Sequence, residues 1–165
     1  LVKQRLFILR GNYIMVKKIR EGYNTLTPYL IVEGANDAIS FYKKAFNAEE
    51  RMRMPTPDGK VAHAELIIGD SVFMVADEFP DMGFKGPKSF GGAPVGLHLY
   101  VEDVDSAYNT AMGVGATSIK PPKDQFYGDR SCLILDPFGH QWSLATHIED
   151  VSPEELQERM KQGCS

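Results

Sequence analysis

The chain has 165 residues, 43% hydrophobic and 24% charged, with a formal net charge of −4 at pH 7. That balance fits one globular domain and argues against a nucleic-acid or anionic-membrane partner; no apolar run approaches the ~20 residues that span a bilayer. Two cysteines, Cys132 and Cys164, provide neither a disulfide framework nor zinc-ligand spacing, which points to the cytoplasm.

Residues 1–24 read as an N-terminal extension. The first 14 precede Met15, and their apolar stretch, Leu6 to Leu9, is too short for a signal-peptide core. An extra edge strand is the alternative reading of that leader. Thr25–Val32 then has the composition of a strand. Ala35, Ala38, Ile39, Tyr42, Ala45 and Phe46 recur at helical spacing and predict one apolar stripe over three turns. Strands are expected at Glu49–Met54, Val61–Ile68 and Val72–Ala76, with turns at Pro57-Asp58-Gly59 and Gly69-Asp70. Residues 79–93 are rich in Pro and Gly and read as a linker.

The pattern then repeats. A strand at Val95–Val101 is followed by a helix at Asp105–Val114 and by strands at Thr117–Lys120, Asp129–Leu135 and Gln141–Thr146. Placing Val32 on Val101, an offset of 69 residues, also places Glu33 on Glu102 and Ala38 on Ala107. Each half reads βαβββ, over residues 25–78 and 94–148. The expected fold is therefore α+β: two tandem βαβββ units packed pseudo-symmetrically, with cupped mixed sheets and helices outside. Residues 149–165 form a C-terminal helix and tail, signalled by the N-cap sequence Ser152-Pro153-Glu154-Glu155. A repeated unit that cannot close its own core packs on its twin, and the seam between twins is a natural place for a cavity.

The stretch Pro28–Phe46, the run from His63 to Ser71, Asp124-Gln125-Phe126-Tyr127-Gly128-Asp129-Arg130 and Asp136-Pro137-Phe138-Gly139-His140 carry a resemblance. In that order, on paired βαβββ units, they resemble the glyoxalase/bleomycin-resistance/extradiol-dioxygenase (vicinal-oxygen-chelate) superfamily, and more closely its PhnB-like subgroup. The resemblance implies a cleft in each cupped sheet and a homodimer. It does not imply one reaction, because the fold hosts lyases, dioxygenases and non-catalytic binders.

The same resemblance implies four metal-ligand positions, one on the first and one on the fourth strand of each unit. Here they hold Thr27, Met74, Gly96 and Ser143. None suits a borderline divalent metal, which takes imidazole or carboxylate, so no metal or other cofactor is expected there. Strand alternation places other groups on the same faces: His98 and Tyr100 in step with Gly96, and His63 with Glu65. His63, Glu65 and His98 are the alternative, displaced metal site; the plainer reading is a His63–Glu65 hydrogen-bonded pair and a lone His98. The expected ligand cleft comprises Tyr29, His63, Glu65, Met74, His98, Tyr100, Phe126 and Arg130. Arg130 holds either an anionic ligand group or its own loop, through an acidic neighbour. Trp142 is expected in the core, His140 in a solvated turn, and His147 as a capping or interface residue. Three functions compete: a metal-free small-molecule binder, a metal-dependent lyase or dioxygenase, and a purely structural dimer module.

Overall fold

The computed structural model describes residues 7–9, 12–14 and 16–163. The leader expected over residues 1–14 therefore falls partly outside the described residues. Its described pieces, β1 (Phe7–Leu9) and β2 (Asn12–Ile14), pair antiparallel in a two-stranded sheet of their own.

Two four-stranded mixed sheets form the body. The first unit runs β3 (Tyr29–Val32), α1 (Ala35–Phe46), β4 (Glu49–Pro55), β5 (Val61–Ile68) and β6 (Ser71–Asp77), with strand order β3-β6-β5-β4. Two short helical turns follow in the linker: a 3-10 turn at Pro80–Met82 and α2 (Pro87–Phe90). Each opens on a proline, whose fixed φ suits a first helical position. The second unit runs β7 (Gly96–Tyr100), α3 (Val104–Gly113), β8 (Thr117–Asp124), β9 (Asp129–Leu135) and β10 (Gln141–His147), with order β7-β10-β9-β8. In each sheet the first and last strands of the unit are parallel and the other pairs antiparallel. Helix α4 (Pro153–Gly163) closes the chain, its Glu155 N–H donating to the Ser152 hydroxyl at 3.2 Å.

Two boundaries differ by four residues from the pattern in the sequence, the rest by two at most. The first strand starts at Tyr29 rather than Thr25, because only from Pro28 onward does the backbone meet β6, through Met74 N–H to Pro28 O at 2.8 Å. Strand β8 runs on through Pro121 and Pro122. It is the edge strand of its sheet and its register with β9 slips twice, so missing N–H donors are tolerated there.

One face of each sheet carries a helix. Leu30, Val32, Ala64, Leu66, Phe73 and Val75 share a core with the α1 stripe; Cys132, Ile134, Trp142 and Leu144 join it from the second sheet. α1 and α3 also pack on each other, so the core is continuous across the repeat. Asp136 fastens the seam: its buried carboxylate accepts from Tyr42 Oη (2.8 Å), Trp142 Nε1 (3.0 Å) and the N–H groups of Phe138 and His140. Trp142 is thus a core residue as expected, 4% exposed.

The helix starts show how one plan is met by different side chains. Asp77 accepts from the N–H groups of Gly34 and Ala35 at the start of α1 and from Val61 N–H. The 69-residue offset carries Asp77 to Thr146, whose hydroxyl accepts from Val104 N–H at the start of α3 and donates to Val101 O. Either oxygen satisfies backbone donors that a helix N-terminus leaves unpaired.

Candidate functional site

The helix-free faces carry the polar chemistry. Across the first sheet, Tyr29, Met74, Glu65 and Met52 stand side by side in one row. Across the second, the row is His98, Ser143, Leu133 and Lys120. The repeat offset carries Tyr29 to His98 and Met74 to Ser143, and both pairs are register neighbours.

On the first face the groups are linked. With His63 Nε2 facing Glu65 Oε1 at 3.5 Å, Nδ1 is left to accept from the Tyr29 hydroxyl at 3.0 Å. Burial pushes the Tyr29 phenol up, so it stays a donor at neutral pH. Glu65 is 3% exposed. Burial alone raises its carboxyl, but the Tyr23 hydroxyl, the Arg20 guanidinium and His63 more than offset that and hold it below the usual glutamate range. Arg20 Nη1 donates to Glu65 Oε1 at 2.9 Å. Arg20 and Arg51 both lie over the Tyr23 ring, 5.2 and 5.3 Å from its centre. Residues 16–28 thus cross this face as a strap. Arg20 and Tyr23 fall in the extension expected over residues 1–24, a stretch without periodicity, so no local signal points to them.

Two hollows adjoin Tyr29. One, about 300 Å³, is walled by Tyr29, Ile31, Ala62, Ala76, Phe79, Met82 and Phe84. The other, about 780 Å³, lies between Tyr29–Ile31 of β3, the linker from Lys85 to Val95, Leu97 of β7, His140 and Gln141. Gly86 is required at this seam, since a side chain there would meet the Ile31 carbonyl at 2.6 Å. His140 also sits here rather than in solvent. Its Nε2 donates to Ile31 O at 3.3 Å, and burial pulls its pKa down against the opposing pull of Asp136. The turn that reads as exposed in the sequence is covered because the two units close over it.

The second face is more open. His98 is exposed and meets the Tyr100 ring edge-on at 4.8 Å. Tyr100, 62% exposed, donates its hydroxyl to Asp129 Oδ2 at 3.0 Å. His147 donates from Nδ1 to Asp129 (2.9 Å) and from Nε2 to Asp150 (3.0 Å), and these two carboxylates raise its pKa. Neither Asp129 nor His147 figured among the expected cleft residues, although Asp129 alternates onto the face of Ser131 and Leu133. Phe126 stacks edge-on with Tyr127 in the loop before β9. Arg130 alternates to the opposite side. It is held by Asp105 of α3 (2.6 and 2.8 Å) and Asp124 (2.7 Å), so it fixes its loop to the helix instead of facing a cleft.

Of the expected residues, the fold brings Tyr29, His63, Glu65 and Met74 together, and His98 with Tyr100 on the other sheet. It does not bring His98 to the His63–Glu65 pair, and among the described residues no three His, Cys, Asp or Glu side chains are grouped to hold a metal. At the positions implied for ligands, the register places Tyr29, not Thr27, beside Met74, and His98, not Gly96, beside Ser143. A thioether, a phenol, a hydroxyl and one imidazole do not fit a borderline divalent metal.

A family model described as the glyoxalase/bleomycin resistance protein/dioxygenase superfamily matches residues 22–144. An uncharacterized protein of Mycobacterium bovis is 46% identical over 138 residues, covering 82% of this chain and 91% of that protein. Among solved structures, TioX from Micromonospora sp. ML1 is similar with a TM-score of 0.60 at 24% identity, covering 76% of this chain and 99% of that one. A PhnB protein from Bacillus cereus is similar with a TM-score of 0.59 at 19% identity, covering 74% and 99%.

Proposed function

This chain belongs to the glyoxalase/bleomycin resistance protein/dioxygenase superfamily, and from that premise we propose that it binds a small planar or aromatic molecule on the open face of the first sheet, without the metal site of its metal-dependent relatives. The observation that carries this reading is the Tyr29–His63–Glu65 chain of hydrogen-bonding groups beside an apolar hollow. Small-molecule sites combine mainly apolar walls with a few convergent polar groups, in volumes of roughly 300–1,000 Å³. Here Ile31, Ala76, Phe79 and Phe84 are the walls, Tyr29, Thr56 and Asp77 are the polar groups on the lining, and the Tyr29 hydroxyl leads on to His63 behind it. Tyr29 also borders the larger seam cleft, so a longer ligand has room to extend.

A homodimer is part of the proposal. Met54 on the first sheet, Tyr100 and Ile119 on the second and Phe126 in the loop before β9 are 43–62% exposed, and a second copy laid over them would cover them. Buried, unpaired Cys132 suits a reducing cytoplasm. No helix among the described residues is long and apolar enough to cross a membrane.

The test is a thermal-shift screen of small aromatic phenols, oxo-compounds and amidines, read as stabilisation by mass action. A dose-dependent rise in Tm that disappears in His63→Ala supports the reading; no stabilising compound, or an unchanged response in the variant, contradicts it. A second reading, a metal-dependent lyase or dioxygenase, is favoured only by the adjacency of His63 and Glu65 at 3.5 Å. It needs a third ligand from elsewhere, such as His98 of a second copy. Metal analysis of untagged protein against a chelator-washed control separates the two: stoichiometric metal that Glu65→Gln abolishes would establish the second.

A further inference from the structure

The counter-charge for Glu65 comes from outside its sheet. A buried ionised carboxylate requires a cation close by, because desolvation otherwise makes the charged form untenable. In this molecule the cation is delivered by the strap, a segment without regular secondary structure over residues 16–28. Arg20 remains 69% exposed along its side chain while its partner is 5% exposed. Apolar residues of the strap do not anchor it: Val16, Ile19 and Leu26 are 68%, 51% and 84% exposed. At its C-terminal end it is tied to β6 by Met74 N–H to Pro28 O at 2.8 Å; before that it is held by the Arg20–Glu65 pair, by Tyr23, whose hydroxyl reaches Glu65 and whose ring lies under two guanidinium groups, and by one bond from Arg51 to Gly22 O at 3.3 Å. A segment with so few buried contacts opens at low cost compared with the sheet beneath it.

The seat that Arg20 occupies has the composition of an organic-cation site. It offers one buried carboxylate with His63 beside it, and the Tyr29 ring, bonded to His63, borders an apolar hollow. Guanidinium and amidinium groups are planar, weakly hydrated and attracted to aromatic faces. A divalent metal fits less well, since one carboxylate and one imidazole do not complete its shell.

We infer that Arg20 is a displaceable internal occupant of a site for an organic cation, a guanidinium or amidinium group on an apolar body, with Glu65 as counter-ion. The inference rests on the ligand reading above and names its ligand class and its control: the strap competes with the ligand for Glu65. Benzamidinium is the probe, since it joins a planar cation to an aromatic ring. The full chain, Arg20→Ala, Glu65→Gln and the Arg20→Ala/Glu65→Gln double variant are compared at fixed ionic strength by thermal denaturation and isothermal titration. Benzamidinium is expected to raise the Tm of Arg20→Ala in a dose-dependent way. It should bind the full chain about tenfold more weakly or worse, because the competent state must first be freed of Arg20. The double variant should not respond.

An equal response of the single and double variants, or none in Arg20→Ala, overturns the inference. Should Arg20→Ala fail to fold, Arg20→Gln takes its place with the same expectations. If zinc stabilises Arg20→Ala and benzamidinium does not, the site is a metal site and the inference falls. If neutral aromatic compounds still bind in a His63-dependent way while benzamidinium fails, the cation site is wrong and the ligand reading stands.

Discussion

The two sheets share one strand order and, through the rows of Tyr29 and His98, one register, yet their open faces are furnished differently. On the first, Glu65 occupies the third place of the Tyr29–Met74 row and is sealed under the strap. On the second, Leu133 holds the corresponding place beside Ser143, and the charge has moved to the rim, to Asp129, His147 and Asp150. The helices differ in the same sense. α1 buries seven residues and α3 only two, so the first unit supplies most of the core while the second lies more open. A fold repeated within one chain thus leaves chemistry to be decided by what covers each face. The first face is a closed polar seat beside a hollow; the second is an exposed aromatic surface with a charged edge.

The largest effects should separate the two helix starts. Asp77→Ala removes a buried carboxylate that satisfies three backbone N–H groups and should cost about 3 kcal/mol; Thr146→Ala, at the matching place, should cost about 1 kcal/mol. Urea unfolding of both variants checks this. Equal losses would mean that the two units contribute alike and that the asymmetry of burial is superficial.

Two histidines, one at the seam and one on the second rim, sharpen the contrast through pH. His147 has a folded pKa raised by Asp129 and Asp150, so its contribution is fully present below the ordinary histidine pKa and is lost as pH rises through the folded value. His140 has its pKa lowered by burial. It contributes fully above the ordinary value and loses that contribution as pH falls toward the folded value. The stability difference between the parent chain and His147→Ala should therefore shrink from pH 5 to pH 8, and that for His140→Ala should grow. Parallel curves would break the assignment of one histidine as charged and the other as neutral.

Much of this was legible in the residues. The helical stripe from Ala35 to Phe46 and the alternation in Val61–Ile68 located α1 and β5, and alternation put His63 with Glu65. Alternation also separates Asp129 from Arg130, and Arg130 falls on the side of Cys132 and Ile134, the helix side. Other features depend on contacts that no local pattern encodes. His140 is covered by a strand 109 positions away, and Arg20 reaches Glu65 across 45 positions from an irregular stretch. The run of β8 through two prolines follows from its place at a sheet edge, which is known only once the strand order is known.

The comparison of the two faces is tested most directly by titrating the first stabilising compound from the screen into the parent chain, His63→Ala and His98→Ala. If the ligand sits on the first face, His63→Ala should weaken binding by about 1–3 kcal/mol, the cost of leaving a polar partner unpaired, and His98→Ala should change it far less. The reverse order, with His98→Ala the damaging change and His63→Ala silent, would place the site on the second sheet and contradict the account.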